Sequence, residues 1–530
     1  MRKTIFLIFV LLCGLSINYT LSAQEQGFLR GKVLDQKTGE PIIFATIRLI
    51  GKAKGVITNM DGSFRLPLSF QEAKDTIEIS SMGYDKKEFE LQELPSDKIN
   101  ILYLMPGVLS LSEAVVSAKK KRGLSAEKIV RSAIENIPGN YPLRDFAAIG
   151  YYRDYQIREN EYVNLNEAIL EVVDMGFHTN DYLSSEIRIY DYQRKKYFKQ
   201  DFEASFKYDY KNYKKFIDKA YLYNYGGNEF TILRIHDALR NYKRNSYDFV
   251  NVFERDFISN HSFGKEEDII QDEELLYVIS FGQWTEQNRV YGKLYISKRD
   301  FSIHKMEYTL YDRYRKLEKG QLNKHGNNLT AIFEVINEYK HRYGKMFPNY
   351  ISFYNTFQTN KPPEFFVEEV LLDESKGCFV VKFNDLVDWE TAQNKANYNI
   401  RFEERKIALD KVKVFDVKVE LYPKISEKDF KSLVLKMNAA KIKKLDFMKL
   451  FSAEITGVRN TTGRAKVNEM TYKTYKQYRE FFVQEVRPNG SALGDTLFMN
   501  KLSPIFENQP ISKPDNFDEY WMNTPLQKDN

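Results

Sequence analysis

Cysteine is nearly absent from this chain of 530 residues, which has only Cys13 and Cys378. Cys13 lies in an N-terminal segment that we expect to be removed on export, and it follows Leu12, which does not fit a lipidation motif. The mature chain then keeps a single cysteine, which excludes an intramolecular disulfide. Cys378 stands beside Phe379 and two valines, which favours an inert core thiol over a nucleophile.

Long apolar runs are also scarce. The one run, residues 5–17, follows Arg2 and Lys3 and is followed by the small residue Ala23. This arrangement predicts a signal peptide over residues 1–23. No later window reaches the roughly 20 apolar residues that a membrane-spanning helix needs. We therefore expect an exported protein that is periplasmic or associated with the outer membrane.

Local enzyme motifs are missing from the sequence. It has no H-E-x-x-H, no G-x-S-x-G, no Walker loop and no G-x-G-x-x-G. His304 and Glu307 form H-x-x-E, but they lie in a predicted strand, where positions i and i+3 point to opposite faces. No suitable third ligand follows, since the last histidine is His341. We therefore predict no catalytic residue, no metal ligand and no cofactor-binding residue, and thus a protein that is not an enzyme.

Positive and negative charges are nearly balanced, with 79 Lys and Arg against 73 Asp and Glu and a net charge of +6. A balance of this kind gives no reason to expect a nucleic-acid partner. The partners left open are an outer-membrane or envelope protein, a lipid or a glycan, and the sequence does not define the oligomeric state.

Aromatic residues are abundant at 15%, with 36 Tyr and 38 Phe against 3 Trp. Tyr and Phe favour half-buried pleated surfaces, so the composition indicates a mainly β protein. From Phe28 onward, short alternating segments are separated by turn residues such as Gly39, Pro41 and Asp61-Gly62. Seven such segments in about 80 residues are typical of an antiparallel sandwich.

The residues of this region resemble a known family. The pattern G-x-V-x-D-x-x-T-G-E-P-I-x-x-A-T-I, then G-x-x-T-N-x-D-G-x-F-x-L and I-S-x-x-G-Y, is similar to the carboxypeptidase regulatory-like domain, a transthyretin-type sandwich, over residues 27–106. The resemblance implies a noncatalytic module, frequent in exported Bacteroidetes proteins. Calcium binding by the segment N-M-D-G is excluded, because Ile57 occupies the first ligand position and residues 63–68 offer no closing Glu.

Residues 107–145 are predicted to be a linker with a short helix. The basic run of residues 119–122 indicates a solvated connection, and the helix that follows is expected to begin after Ser125 and to stop at Pro138-Gly139.

Residues 146–420 alternate as long Tyr-rich strands, with a helical insert at residues 230–242. Their layout is similar to that of LolA-like lipoprotein-sorting proteins, which implies a large curved antiparallel sheet, a half-barrel that cradles acyl chains. Residues 421–530 are predicted to be a mixed α/β region with helices after a cap at Ser426, a further strand and an aromatic tail that docks onto the body.

The sequence therefore predicts a noncatalytic cell-envelope protein in which a sandwich module precedes a β-sheet domain that binds an apolar or envelope ligand, or a partner protein. Two alternatives remain: an exported hydrolase without a local motif, and an outer-membrane β-barrel or component associated with a TonB-dependent receptor. A polar cluster in the hollow of the sheet would favour the hydrolase, whereas an apolar hollow would favour carriage of a ligand.

Overall fold

The structure is a computed structural model that describes residues 27–50, 55–70, 75–81, 83–107, 123–245, 251–271, 274–442, 450–491, 493–494 and 496–526. The predicted signal peptide, with Cys13, and the basic run of residues 119–122 lie outside the described residues. Strands hold 46% of the chain and helices 14%, so the predicted class is confirmed: a mainly β chain with an N-terminal sandwich followed by a large curved antiparallel sheet.

The described residues of the N-terminal region form seven strands, which pair in two sheets of order β4-β1-β7 and β3-β2-β5-β6. Their bounds are β1 (Phe28–Asp35), β2 (Thr46–Leu49), β3 (Gly55–Ile57), β4 (Ser63–Pro67), β5 (Thr76–Ser80), β6 (Lys87–Glu90) and β7 (Ile99–Leu104).

One pairing in the sandwich differs from the prediction. The sandwich was expected to be antiparallel throughout, but β1 and β7 are parallel, with Gly31 opposite Asn100. The two strands are the first and last of the module, so the intervening strands supply the long crossover connection that a parallel pair requires. Alternation along β1 buries Leu29 and Val33 in a core shared with Phe64 and with Trp521 near the C-terminus.

The large sheet has twelve strands. Ten follow the order β10-β9-β8-β26-β18-β17-β16-β15-β14-β12, while β11 pairs with β18 and β13 with β14. Their bounds are β8 (Phe146–Arg158), β9 (Glu161–Asp174), β10 (Glu186–Arg194), β11 (Lys215–Phe216), β12 (Ser262–Lys265), β13 (Ile269–Gln271), β14 (Glu274–Trp284), β15 (Asn288–Ser297), β16 (Ile303–Lys316), β17 (Leu329–Arg342), β18 (Lys345–Lys361) and β26 (Thr471–Arg487).

The predicted C-terminal strand is confirmed as β26, which lies between β8 and β18 in the middle of the sheet. The predicted aromatic tail also docks, because Tyr520 packs on Ile149 and Tyr190 in one core and Trp521 packs in the core of the sandwich. Asn523 adds polar contacts, since its side-chain amide donates to the backbone oxygen of Ile57 at 2.7 Å.

The two faces of the large sheet are covered by different parts of the chain. Arg153 on β8 donates hydrogen bonds to Glu480 on β26 and to Asn59 of the sandwich. The adjacent Tyr152 points to the other face, where it packs edge-on against Phe230 at 5.1 Å between ring centroids. We call these the sandwich face and the insert face, and we call residues 217–245 the insert.

Seven α-helices occur within the described residues: α1 (Ala126–Glu135), α2 (Ile137–Asn140), α3 (Asp181–Ser184), α4 (Glu229–Ile235), α5 (Phe253–Asn260), α6 (Trp389–Gln393) and α7 (Glu427–Ile442). Two predicted caps are confirmed: Ser125 accepts from the backbone N–H of Lys128, and Ser426 from that of Asp429. None of the helices in the described ranges has the length and apolar character that a membrane crossing requires.

Two helix boundaries differ from the prediction. Pro138 and Gly139 do not end α1, which stops at Glu135; they form part of the short α2, because proline is well tolerated in the first turn of a helix. The insert was expected to be helical over residues 230–242, but α4 ends at Ile235 and turns follow it.

The chain divides into two compact units. The first holds residues 1–208, 217–357 and 475–530, and the second holds residues 209–216 and 358–474. In the second unit the sheets have the orders β19-β20-β24-β23 and β22-β21-β25, around a core that includes Cys378's neighbour Phe379. Their bounds are β19 (Val367–Asp373), β20 (Cys378–Phe383), β21 (Tyr398–Phe402), β22 (Arg405–Lys406), β23 (Leu409–Val414), β24 (Lys418–Pro423) and β25 (Phe451–Ile455).

Candidate ligand-binding cavity

A cavity of about 390 Å³ lies on the insert face of the first unit, between the insert and strands β14–β17. Its volume falls within the range of small-molecule sites, roughly 300–1,000 Å³. The lining residues come from the insert and from the sheet: Lys219, Ala220, Tyr221, Leu222, Tyr223, Ile235, His236, Asn245, Gln283, Thr285, Asn288, Leu310 and Phe333.

The sheet supplies the floor and one end of the cavity. Leu310 on β16 lies opposite Phe333 on β17, so the two side chains share the insert face. The β14–β15 hairpin contributes Thr285 and Asn288, whose backbones are tied because the N–H of Asn288 donates to Oγ1 of Thr285 at 2.9 Å. Antiparallel pairing and a short hairpin therefore fix this side of the cavity.

The insert supplies the opposite wall. The side chain of Asn228 caps α4 by accepting from the backbone N–H of Thr231 at 2.9 Å. At the other end of α4, the ring of His236 stacks on Phe353 at 4.1 Å between centroids, and its Nδ1 lies 2.7 Å from the backbone oxygen of Ile232. Burial lowers the pKa of His236 to about 4, so the imidazole is neutral at pH 7.

The wall of the cavity carries little charge. Among the described residues that line it, Lys219 alone carries a charge, and its ammonium group lies 2.9 Å from Oδ2 of Asp312. The hydrogen bond to Asp312 raises the pKa of Lys219, which keeps the pair ionised. The wall is therefore close to neutral as a whole.

Two amide side chains of the wall are not satisfied by the protein. Oε1 of Gln283 and Oδ1 of Asn288 are shielded from solvent and accept no hydrogen bond from the described residues. Buried amide oxygens normally have a partner, and leaving one without costs about 1–3 kcal/mol. The side chains of Gln283 and Asn288 thus line the cavity and keep hydrogen-bonding capacity that the described protein does not use.

The opposite end of the insert is filled by paired charges. Arg240 is fully buried and donates through Nε and a terminal nitrogen to both oxygens of Asp174, at 2.9–3.1 Å. Arg234 bridges Asp174 and Asp181. Burial disfavours the charged form of Asp181, but Arg234 and Arg240 outweigh it and lower the pKa of this carboxyl. Such fully paired groups hold the insert to β9 and α3.

A second buried polar cluster lies under α4. Arg479 is fully buried and donates to Glu229 and to Oδ1 of Asn355, at 2.8 Å in the second case. Asp154 lies near this cluster and accepts from the hydroxyl of Tyr152 at 3.1 Å. Burial, with a further contribution from Glu229, raises the pKa of Asp154 to about 7.

The residues that the sequence singled out lie apart from the cavity. His304 on β16 has its Nε2 3.4 Å from Glu274, whereas Glu307 accepts from the hydroxyl of Tyr295 at 2.9 Å. Cys378 is buried in the second unit, and burial raises the pKa of its thiol to about 11. No group of three or more His, Cys, Asp and Glu within the described part of the chain is arranged to hold a metal ion.

The turn segment that carries Asn59 and Asp61 has a structural part in the molecule. Oδ1 of Asp61 accepts from the hydroxyl of Ser63 at 2.6 Å, and Asn59 donates to the same hydroxyl at 3.0 Å. Asn59 also accepts from Arg153, so this turn of the sandwich is part of its contact with the large sheet.

Sequence reasoning did not find the cavity. Gln283, Asn288 and the tyrosines of the insert belong to no motif, and they come together only because β14, β15 and the insert meet on one face. The one local signal was the run of amide residues around the β14–β15 hairpin, and that run is equally typical of a solvated turn.

Residues 29–116 match the family model of the CarboxypepD_reg-like domain. The predicted resemblance of the N-terminal region is thereby confirmed for that part of the chain, whereas the bacterial phylum stays a prediction. No curated protein matches the chain.

Several solved structures show limited likeness to the fold. A DUF1329 family protein from Desulfovibrio piger is 5% identical, with 44% of this chain and 86% of that chain covered and a TM-score of 0.18. A domain described as an outer membrane lipoprotein-sorting protein from Vibrio parahaemolyticus is 11% identical, with 59% and 100% covered and a TM-score of 0.18. The match to the MucA/MucB complex of Pseudomonas aeruginosa has 9% identity and covers 57% of this chain and 95% of that chain, with a TM-score of 0.15. At TM-scores this low, the likenesses support no inference about this chain.

Proposed function

We propose that this chain is a noncatalytic protein of the cell envelope that binds a small ligand in the cavity on the insert face. The observation that carries the proposal is a cavity of about 390 Å³ whose wall includes two amide side chains, Gln283 and Asn288, with hydrogen-bonding capacity that the described protein does not use. Binding sites combine apolar walls with a few such polar groups, which orient the ligand.

The chemistry of the wall supports a binding role over a catalytic one. Its described lining residues include neither a carboxylate nor a thiol, and the histidine among them stacks on Phe353 and bonds to a backbone carbonyl. General acid–base catalysis needs a titratable group within reach of the reacting atoms at a pKa near the working pH. His236, with a pKa of about 4, is poorly suited to that role at pH 7.

The location rests on the N-terminal part of the chain. The signal peptide predicted over residues 1–23 would export the protein, and residues 29–116 match a regulatory-like family model, a kind of module that the sequence resemblance associates with exported proteins. A periplasmic or outer-membrane-associated site would expose the cavity to the small molecules, lipids and glycans of the envelope.

Filling the cavity tests the proposal. Ala220 lies in the wall, so Ala220→Trp should occupy much of the space. We expect the neutral fluorescent probe N-phenyl-1-naphthylamine to bind the purified full chain with a rise in emission, and the variant to abolish that rise. Ala408→Trp places the same side chain at an exposed alanine of the second unit and should leave probe binding unchanged. Equal probe binding in Ala220→Trp and Ala408→Trp, or none in the unaltered chain, would contradict the proposal.

A further inference from the structure

The cavity restricts the charge of its ligand. Lys219, the one charged residue among the described lining residues, is already paired with Asp312. An ionised group brought into such a site would lose its hydration without gaining a dedicated counter-charge. The wall therefore favours a ligand without net charge.

The cavity also has hydrogen-bonding groups to offer to a ligand. Gln283 and Asn288 each carry a carboxamide whose oxygen accepts no hydrogen bond from the described residues. A half-turn about the last side-chain bond exchanges oxygen and nitrogen, so each amide can present either an acceptor or two donors. An alkyl chain can satisfy neither, whereas a hydroxyl group both donates and accepts.

Exposed aromatic side chains lie at the insert side of the cavity. Tyr221 is 62% exposed and Tyr223 is 55% exposed, and both line the cavity. Tyr314, 61% exposed, lies beside Lys219, with the ammonium nitrogen 5.6 Å from its ring centroid. Aromatic rings that end in a hydroxyl combine an apolar face with a polar edge, which suits a ligand of the same dual character.

These three features together identify a ligand class. We propose that the cavity binds an uncharged saccharide, with the amides of Gln283 and Asn288 hydrogen-bonded to sugar hydroxyls and with Tyr221 and Tyr223 against the apolar C–H face of a sugar ring. The inference rests on the proposed function and adds the chemical class of the ligand to it.

A paired binding experiment on the purified full chain separates the saccharide from an acyl chain. The probes are N,N′-diacetylchitobiose, which is neutral and rich in donors, and dodecanoate, which offers an alkyl chain. Isothermal titration calorimetry measures affinity, saturation-transfer NMR identifies the bound atoms, and mass spectrometry reports whether the sugar stays intact.

We expect the unaltered chain to bind diacetylchitobiose and to leave it intact. The double variant Gln283→Leu with Asn288→Leu should weaken this binding at least about tenfold, which corresponds to the loss of roughly one to two hydrogen bonds. Tyr221→Ala with Tyr223→Ala should weaken it several-fold. The controls are Gln321→Leu and Tyr197→Ala, exposed residues outside the cavity, and they should bind like the unaltered chain.

Binding of dodecanoate without diacetylchitobiose, strengthened in the leucine variant, would overturn the saccharide assignment and leave the proposed function in place. Absence of binding for both probes would overturn the saccharide assignment, and it would overturn the proposed function as well if N-phenyl-1-naphthylamine also fails to bind. Sugar binding that the leucine variant retains in full would also overturn the assignment, because the amides would then not be the contacts. Circular dichroism of each variant establishes that a loss of binding is not a loss of folding.

Discussion

The two ends of the insert meet the same face of the large sheet, but the polar groups at one end are paired and those at the other end are not fully satisfied. At the end over β9, Arg234 and Arg240 are buried, and each bonds to carboxylates of the sheet or of α3. At the end over β14–β16, the wall is nearly neutral, and the amides of Gln283 and Asn288 lack partners for their oxygens. One end of the insert is thus held by paired charges, whereas the other borders a cavity and keeps amide groups that the described protein leaves unsatisfied.

The largest expected effect on stability comes from removing one partner of a buried ion pair. Arg240→Ala leaves Asp174 buried with only Arg234 as a cationic partner, and we expect the free energy of unfolding to fall by about 3–5 kcal/mol. Urea unfolding followed by circular dichroism measures the change. Arg255→Ala, which removes a side chain that is 75% exposed beside Asp256, is the control and should have no measurable effect. Similar losses of stability in the two variants would show that the buried pairs of Arg240 do not stabilise the insert more than an exposed ion pair does.

A second prediction concerns the pH dependence that the buried cluster under α4 gives to stability. The pKa of Asp154 is raised to about 7 in the folded state, against an ordinary value of 3.8. The stability that this carboxyl contributes is therefore complete below about pH 4 and is lost as the pH rises through 7. Asp154→Asn should remove that loss. Between pH 5 and pH 8, the free energy of unfolding of the variant should therefore rise relative to that of the unaltered chain by on the order of 1–3 kcal/mol.

Urea unfolding at pH 5 and pH 8 measures this difference. His236 contributes in the opposite direction, since its pKa of about 4 gives stability that is present above pH 6.5 and lost as the pH falls. That contribution is common to both proteins and cancels in the comparison. The exposed Asp515→Asn serves as the control, with no change in pH dependence. A shift of the same size in Asp515→Asn would exclude the cluster as its cause.

The smallest expected effect lies at the cavity and is, unlike that of Arg240→Ala, a gain in stability. Replacing Gln283 and Asn288 by leucine removes two amide groups whose oxygens are shielded and unsatisfied, and we expect each substitution to raise the free energy of unfolding by about 1 kcal/mol. Gln321→Leu, at an exposed position, should give no such gain. Stability gained at the expense of binding is typical of functional sites. A loss of stability in the double variant would indicate that these amides are structural.

The outline of the fold could be predicted from local patterns. Alternation and turn residues located all seven strands of the sandwich, because period-2 burial and turns such as Asp61-Gly62 leave a direct trace in the sequence. The parallel pairing of β1 with β7 could not be predicted in this way, since strands 64 or more residues apart leave no local sign of their partner. The sequence predicts too long a helix at α4, because the apolar residues beyond Ile235 are buried in turns and not in a helix.

The candidate site could not be predicted. Its residues lie on the insert, on β14–β15 and on β16–β17, and only tertiary packing brings them together. The residues with recognisable chemistry do not belong to the site. His304 and Glu307 have protein partners, and Cys378 is buried. An unsatisfied amide, by contrast, can be recognised only when every neighbour is known.

A crystal structure of the full chain grown with N,N′-diacetylchitobiose shows whether the cavity is a saccharide site. We expect density for the sugar within the cavity, with the side-chain amides of Gln283 and Asn288 at hydrogen-bond distance from its hydroxyl groups and the salt bridges of Arg240 unchanged. Both amides bonded to protein groups, with the sugar absent or bound elsewhere, would contradict this expectation.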